Sequence, residues 1–228
     1  MKTAIVIPAY NEAATIGAVV EAVSAFGTEI VVDDGSDDGT GDIARAAGAE
    51  VVRHERNRGY DGALQSGFKC AEALDADVVV TFDADGQHDA AVLGRVLAPF
   101  ARDEVMMVLG TRPRPARISE RLFGLYGRLR YGVPDMLCGL KAYRRALFRH
   151  HGRFDASGSI GTELALAGLH RGVTFVTVPV PVRARRGAPR FGSTLKANWR
   201  ILRALSLALR SDLRARPAPA QARREPAK

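Results

Sequence analysis

The first half of this 228-residue chain switches repeatedly between two periodicities, and that alternation limits its possible folds more than any other feature. "TAIVIP" (3–8), "EIVVDDGS" (29–36), "AEVVRHE" (49–55) and "DVVVTF" (77–82) begin or end in short apolar, β-branched runs that read as buried strands. Between them, "NEAATIGAVVEAVSAF" (11–26), "DDGTGDIARAAG" (37–48) and "GALQSGFKCAEAL" (62–74) carry helical spacing, with Asn11 as the expected cap of the first and Gly48 closing the second. Strands separated by helices of this length predict an α/β fold, with a mainly parallel sheet flanked by helices. In such sheets ligands bind beyond the C-terminal ends of the strands.

The second half is less regular. Residues 89–102 predict a helix, "VMMVLGTR" (105–112) a strand ending in Arg112, and 119–131 a basic helix. "CGLKAYRRALF" (138–148) predicts a strand running into a helix, "GTELALAGLHRG" (161–172) another helix, and "TFVTVPVPVRARR" (174–186) an edge strand, because of its prolines. The organisation expected is one domain over 1–192, a basic amphipathic helix over 193–214 and a disordered Pro- and Ala-rich tail over 215–228.

Three predicted strand ends carry polar clusters: Pro8 to Glu12, Asp33 to Asp37, and Asp83 to His88. One Asp/Gly turn needs no further explanation, but three clusters sharing one sheet edge suggest a site. Asp83 and Asp85 stand at i and i+2, so along an extended chain their side chains point the same way. Oxygen ligands suit a hard cation, Mg²⁺ or Mn²⁺, which keeps waters and bridges to substrate phosphates, with Gln87 or His88 as an additional contact. Asp33 or Asp34 can accept hydrogen bonds from a base or ribose, whereas Asp37 and Asp38 read better as helix caps.

"IPAYNE", "VVDDGSDDGT", "NRGYDGALQSGF" and "DADGQH" together resemble family 2 glycosyltransferases of GT-A, Rossmann-like fold, and within them the dolichyl- or polyprenyl-phosphate sugar transferases related to dolichol-phosphate mannose synthase. "CGLKAYRR" and "TELALAGLHRG" extend the match more loosely. The resemblance implies inverting, metal-dependent transfer of a hexosyl or N-acetylhexosaminyl group from a UDP- or GDP-sugar to a polyprenyl phosphate. It implies nucleotide contacts at Pro8, Tyr10, Glu12 and Asp34, a DxD-type metal site at Asp83, Asp85 and Gln87, and phosphate contact at Arg112. Asp61 in "GYDGA" departs from the family pattern, and "RARRGAPRFGS" matches it only loosely.

A lipid phosphate acceptor is already anionic and needs no base, so arginines suffice to clamp it. Arg117 and Arg130, with Arg183 and Arg190 of the late basic segment, are the acceptor-side candidates. A sugar hydroxyl acceptor would need a general base, for which Asp135 and Glu163 are the candidates, although Glu163 also suits a helix brace. A catalytically silent nucleotide-sugar-binding subunit is the alternative from another class.

The net charge of +8 is concentrated in two belts, one running from Arg112 to Arg130 and one from Arg183 into the tail. They lack the interleaved aromatics that stack bases, which argues against nucleic acid. Cys70 and Cys138 have no CxxC partner, which argues against zinc. No apolar run is long enough to span a bilayer, and the N-terminus lacks the features of a signal peptide. The location expected is therefore cytoplasmic, peripheral at the inner face of the membrane. From Leu195, apolar residues recur as Leu195, Trp199, Leu202, Leu205, Leu209 and Leu213, flanked by Lys and Arg. Such a helix either lies in a membrane interface or packs on protein.

Overall fold

The computed structural model describes residues 1–113, 117–155, 157–181, 194–214 and 224–226. The chain begins with β1 (Thr3–Ala9), α1 (Ile16–Val23), β2 (Thr28–Asp33), α2 (Thr40–Ala46), β3 (Glu50–Arg53), α3 (Gly59–Ala73) and β4 (Val78–Thr81). It continues with α4 (Val92–Leu97), β5 (Val105–Thr111), α5 (Ile118–Tyr131), β6 (Lys141–Arg144), α6 (Arg145–His151), α7 (Glu163–His170), β7 (Thr174–Pro179), α8 (Thr194–Arg214) and β8 (Arg224–Pro226). The strands form one sheet in the order β3-β2-β1-β4-β6-β5-β7-β8. Among the described residues only β6 runs antiparallel, wedged between β4 and β5. The predicted mainly parallel sheet is therefore present. Residues 224–226 pair with β7 as a short parallel strand, within a tail expected to lack structure.

Alternation along the strands builds two cores. In β1, Ala4 and Val6 face a cluster that holds Phe68, Tyr143 and Phe154, while Ile5, Ile7 and Ala9 face another with Val20, Leu93 and Phe100. Near-continuous apolar runs are what a sheet buried on both faces requires. On the first face, α3 lies so close to the sheet that a Cβ on Gly67 would collide with Val6. β1 pairs in parallel with β2 on one side and β4 on the other, so the C-terminal ends of all three reach one edge together.

Candidate active site

The loops at that edge lace themselves together. Asn11 N donates to Ser36 Oγ at 3.0 Å, Asp37 N to Asn11 Oδ1 at 3.2 Å, and Glu12 N to Thr40 Oγ1 at 2.8 Å. Asn11 is thus not the helix cap expected of it. It occupies a left-handed turn with φ 53°, and α1 starts later, at Ile16. Asn tolerates this conformation, and its side chain satisfies neighbouring backbone. Asp38 is not the cap of α2 either: Gly39 holds that position, and Asp38, one residue earlier, accepts Thr40 N and Ala13 N at 3.0 Å each. Pro8 and Glu12 are buried here, with Thr15 Oγ1 donating to Glu12 Oε2 at 2.8 Å, while Tyr10 is exposed.

The alternation at the end of β2 sends Asp33 and Asp34 in opposite directions. Asp34 accepts the backbone N–H groups of Arg58 and Gly59 at 2.8 Å each and lies 2.7 Å from His54 Nδ1. Its carboxylate therefore anchors the start of α3, a role the sequence did not reveal. Asp33 Oδ1 accepts Ser36 N at 2.9 Å. Its Oδ2 is buried without a hydrogen-bond partner, and Arg53 Nε stands 3.5 Å away.

Beyond β4, the chain turns at Gly86, whose φ is 69°, and Gln87 N donates to Asp85 Oδ1 at 3.1 Å. His88 Nε2 lies 3.2 Å from Asp83 Oδ2, and its ring meets Phe82 edge-on. Asp83 is half-buried, and a Cβ at Gly139 would collide with its carboxylate. Burial raises the Asp83 pKa, but the His88 contact and the charges of His88, Arg112 and Lys141 outweigh it and hold the carboxyl below its usual range. Among the described residues, no group of three or more His, Cys, Asp or Glu side chains is placed to hold a cation.

Behind Asp83 lies a buried polar layer that sequence reading missed. Lys141 is 4% exposed and donates from Nζ to Gly161 O at 2.8 Å. Burial pulls its pKa down, against the opposing pull of Cys138 and the carboxylates of Asp135, Asp155 and Asp61. Asp61 Oδ1 accepts Gly161 N at 2.7 Å, and burial followed by the charge of Asp155 raises its pKa to about 6. Asp155 Oδ1 in turn accepts the N–H groups of Ser157, Gly158 and Ser159 at 2.9–3.1 Å. The usable signal was a lysine placed in the strand segment of "CGLKAYRR", where a buried cation must find partners.

Arg112, at the end of β5, approaches the same edge. Asp135 grips it with Nε at 2.7 Å and a second guanidinium nitrogen at 3.0 Å, and also accepts Arg112 N at 3.1 Å and Leu137 N at 3.0 Å. Burial pushes the Asp135 carboxyl up, but Arg112 outweighs this and holds it below its usual range. Asp135 thus anchors Arg112. Glu163, the other base candidate, starts α7 and braces it, meeting His151 Nε2 at 3.1 Å, Arg153 Nε at 2.5 Å and Ser157 N at 3.1 Å.

The acceptor-side candidates separate. Arg117 pairs with Glu120 at 3.0 Å, and Glu120 also lies 3.7 Å from Arg112, so Arg117 belongs to the same charged group. Arg130 lies 3.2 Å from Asp212 of α8 and stacks over Tyr131 at 5.0 Å. Arg183 and Arg190 lie outside the described residues.

The fold has counterparts among solved structures. Glucosyl-3-phosphoglycerate synthase from Mycobacterium tuberculosis, in complex with Mg²⁺ and uridine diphosphate, superposes with a TM-score of 0.73 at 26% identity, over 92% of this chain and 78% of that one. The sequence model of glycosyl transferase family 2 matches residues 4–152, and the chain belongs to that family. A dolichyl-phosphate hexose transferase of Haloferax volcanii is 32% identical over 81% of this chain and 84% of its own length. An uncharacterized protein of Methanocaldococcus jannaschii is 37% identical over 61% of this chain, which spans 63% of that relative.

Proposed function

We propose that this chain transfers a sugar, with inversion at the anomeric carbon, from a nucleotide-sugar donor to a polyprenyl-type lipid phosphate. The observation that carries the proposal is the acidic end of β4, with Asp83 and Asp85 at the edge where β1 and β2 also end and the charge of Arg112 acting on Asp83. The oxygen donors of Asp83 and Asp85 fit a hard divalent cation, Mg²⁺ or Mn²⁺. Two protein carboxylates suffice where waters and a donor diphosphate complete the shell. Bound there, the ion would offset charge developing on the departing diphosphate.

The remaining work falls to side chains of this chain. Arg112, oriented by Asp135, presents a fixed cation to phosphate oxygens. Tyr10, exposed after β1, and Asp33, whose buried Oδ2 has Arg53 Nε 3.5 Å away, lie at the ends of β1 and β2, where a nucleoside would lie. Asp135 and Glu163, the general-base candidates for a hydroxyl acceptor, are both held in ion pairs. This favours an acceptor that arrives already ionised. The Haloferax relative, by its name, uses a dolichyl phosphate, and the mycobacterial enzyme binds UDP. The first supports a lipid phosphate acceptor and the second a UDP-sugar donor.

The test is a donor screen with the full chain, Mn²⁺ and a short-chain polyprenyl phosphate, following lipid-linked product and free nucleotide. Product from one donor, abolished by EDTA and by Asp85→Ala in a still-folded protein, is the expected result. Normal turnover by Asp85→Ala would refute the metal assignment. Donor hydrolysis without lipid product would refute the acceptor.

A further inference from the structure

Helices α5 and α8 lie side by side in the same direction. Ser119 Oγ meets Asn198 Oδ1 at 2.5 Å near their N-termini, and Tyr126, Arg130 and Tyr131 all reach Asp212 near their C-terminal ends. Each helix buries a face of its own: Phe123 and Gly127 on α5, and Ala197, Ile201, Ala204 and Ala208 on α8.

Each also exposes an apolar stripe. On α5 these are Ile118, Leu122, Leu125 and Leu129, between 47% and 78% exposed. On α8 they are Leu195, Trp199, Leu202, Leu209 and Leu213, between 45% and 87% exposed. The sequence marked the α8 stripe as one that either packs on protein or meets a membrane. The structure packs the helix through its alanines and leaves most of that stripe outside.

The two stripes share one surface. At about 100° per residue, the α5 stripe lies roughly 90° from the residues facing α8, and the α8 stripe roughly 80° from those facing α5. Both lie about 140–150° from the buried residues of their own helix. Two parallel neighbours satisfy these angles only when both stripes point outward on the same side.

Arginines rim the far edges of this face. Arg121 and Arg128 are exposed on the α5 flank away from α8, and Arg203 and Arg210 on the α8 flank away from α5. The acidic residues of the two helices turn inward. Glu120 is buried between Arg112 and Arg117, and Asp212 is held by Tyr126, Arg130, Tyr131 and His170.

We propose that this two-helix face docks the protein on an anionic lipid surface, the apolar stripes entering the interface and the arginines meeting headgroups. An apolar centre with basic flanks and no outward acid matches the chemistry of such a surface. A second copy fits poorly. A two-fold contact between identical faces would set arginine rim against arginine rim without a carboxylate to relieve them. No helix among the described residues is long and apolar enough to cross a membrane, so the contact is one of lying on the bilayer. The face begins at Ile118, shortly after Arg112, which puts the catalytic edge beside the lipid that would deliver a phosphate acceptor. The purpose of this surface rests on the proposed acceptor, whereas the two stripes and their arginine rims stand apart from it.

Trp199 is the chain's single tryptophan and sits in the stripe, so its emission reports docking directly. The experiment adds vesicles of phosphatidylcholine, with or without phosphatidylglycerol, to the full chain, without polyprenyl phosphate or donor. Expected is a blue shift and co-sedimentation with the anionic vesicles only, weakened by salt. Leu125→Glu/Leu202→Glu should weaken binding by about tenfold or more, yet leave sugar transfer to a water-soluble short-chain acceptor unchanged. Absence of both shift and co-sedimentation would overturn the proposal, whatever the transfer assay shows. So would a concentration-dependent dimer that buries Trp199 and excludes vesicles, or unchanged vesicle binding by the double variant.

Discussion

Replacing Asp135 by asparagine separates an anchor from a base. In the folded protein, one carboxylate accepts two guanidinium hydrogen bonds, at 2.7 and 3.0 Å, and two backbone N–H groups, at 3.1 and 3.0 Å. The side chains of Arg112 and Asp135 are 23% and 10% exposed, so the pair is largely withdrawn from water. Removing one charge from a buried pair costs about 3–5 kcal/mol, and the residual hydration of Arg112 lowers this to about 2–4 kcal/mol. For a chain of this size the melting temperature should fall by roughly 5–15 °C. Because the folded pKa of Asp135 is depressed, its stabilisation is present above about pH 3.9 and lost as pH falls through the folded value. The variant should therefore lose stability at pH 7 while showing a flatter acid limb. Turnover should fall by about 10–10²-fold, through a misdirected Arg112, with the shape of the pH–rate profile retained. The assay pairs thermal denaturation across pH with kcat/KM. A variant that melts like the parent but loses turnover together with the acidic limb would refute the anchoring argument, because Asp135 would then be moving the substrate proton.

Three further outcomes follow from the same geometry. Asp61 has its carboxyl pKa raised to about 6, so the native state holds its proton more tightly and stability declines as pH rises from about 4 to 6. Asp61→Asn should therefore melt higher than the parent at pH 8, by the equivalent of about 1–2 kcal/mol, and gain nothing at pH 4; an equal gain at both would remove ionisation as the cause. Gly139→Ala places a methyl group 2.7 Å from Asp83 Oδ1, and the shifted carboxylate should lower kcat/KM by about 10²-fold while circular dichroism stays native; parental turnover would show that the edge yields easily. Phe68 packs on Phe154, Phe148 and Tyr143 at ring distances of 4.6, 5.2 and 5.9 Å, so Phe68→Ala should cost about 3–5 kcal/mol in chemical denaturation, and a loss below about 1 kcal/mol would mean the core refills the space.

By itself the sequence determined the layered sheet and the location of its working edge. Period-two and helical patterns are local, and strands too apolar for one wet face must be covered on both sides. For the same reason the acidic ends of β2 and β4 could be read directly, and Asp83 and Asp85 were recognisable as a pair from their spacing. The partners of these residues were not legible, because they come from distant parts of the chain. Gly139 and Lys141 approach Asp83 only because β6 inserts antiparallel beside β4, and no local pattern announces that reversal. Asp34 read as a ligand contact, whereas tertiary packing adds the start of α3 as its partner.

The sharpest division falls on α8. Hydrophobicity singled out its leucines and Trp199 as the face with something to cover, and left open what would cover it. Only the folded chain decided that the alanines pack inward, where small side chains allow the helix to come close and Asp212 finds Tyr126, Tyr131 and His170. Which face of an amphipathic helix meets its own domain depends on shape and polar partners supplied by other helices, and those exist only after folding.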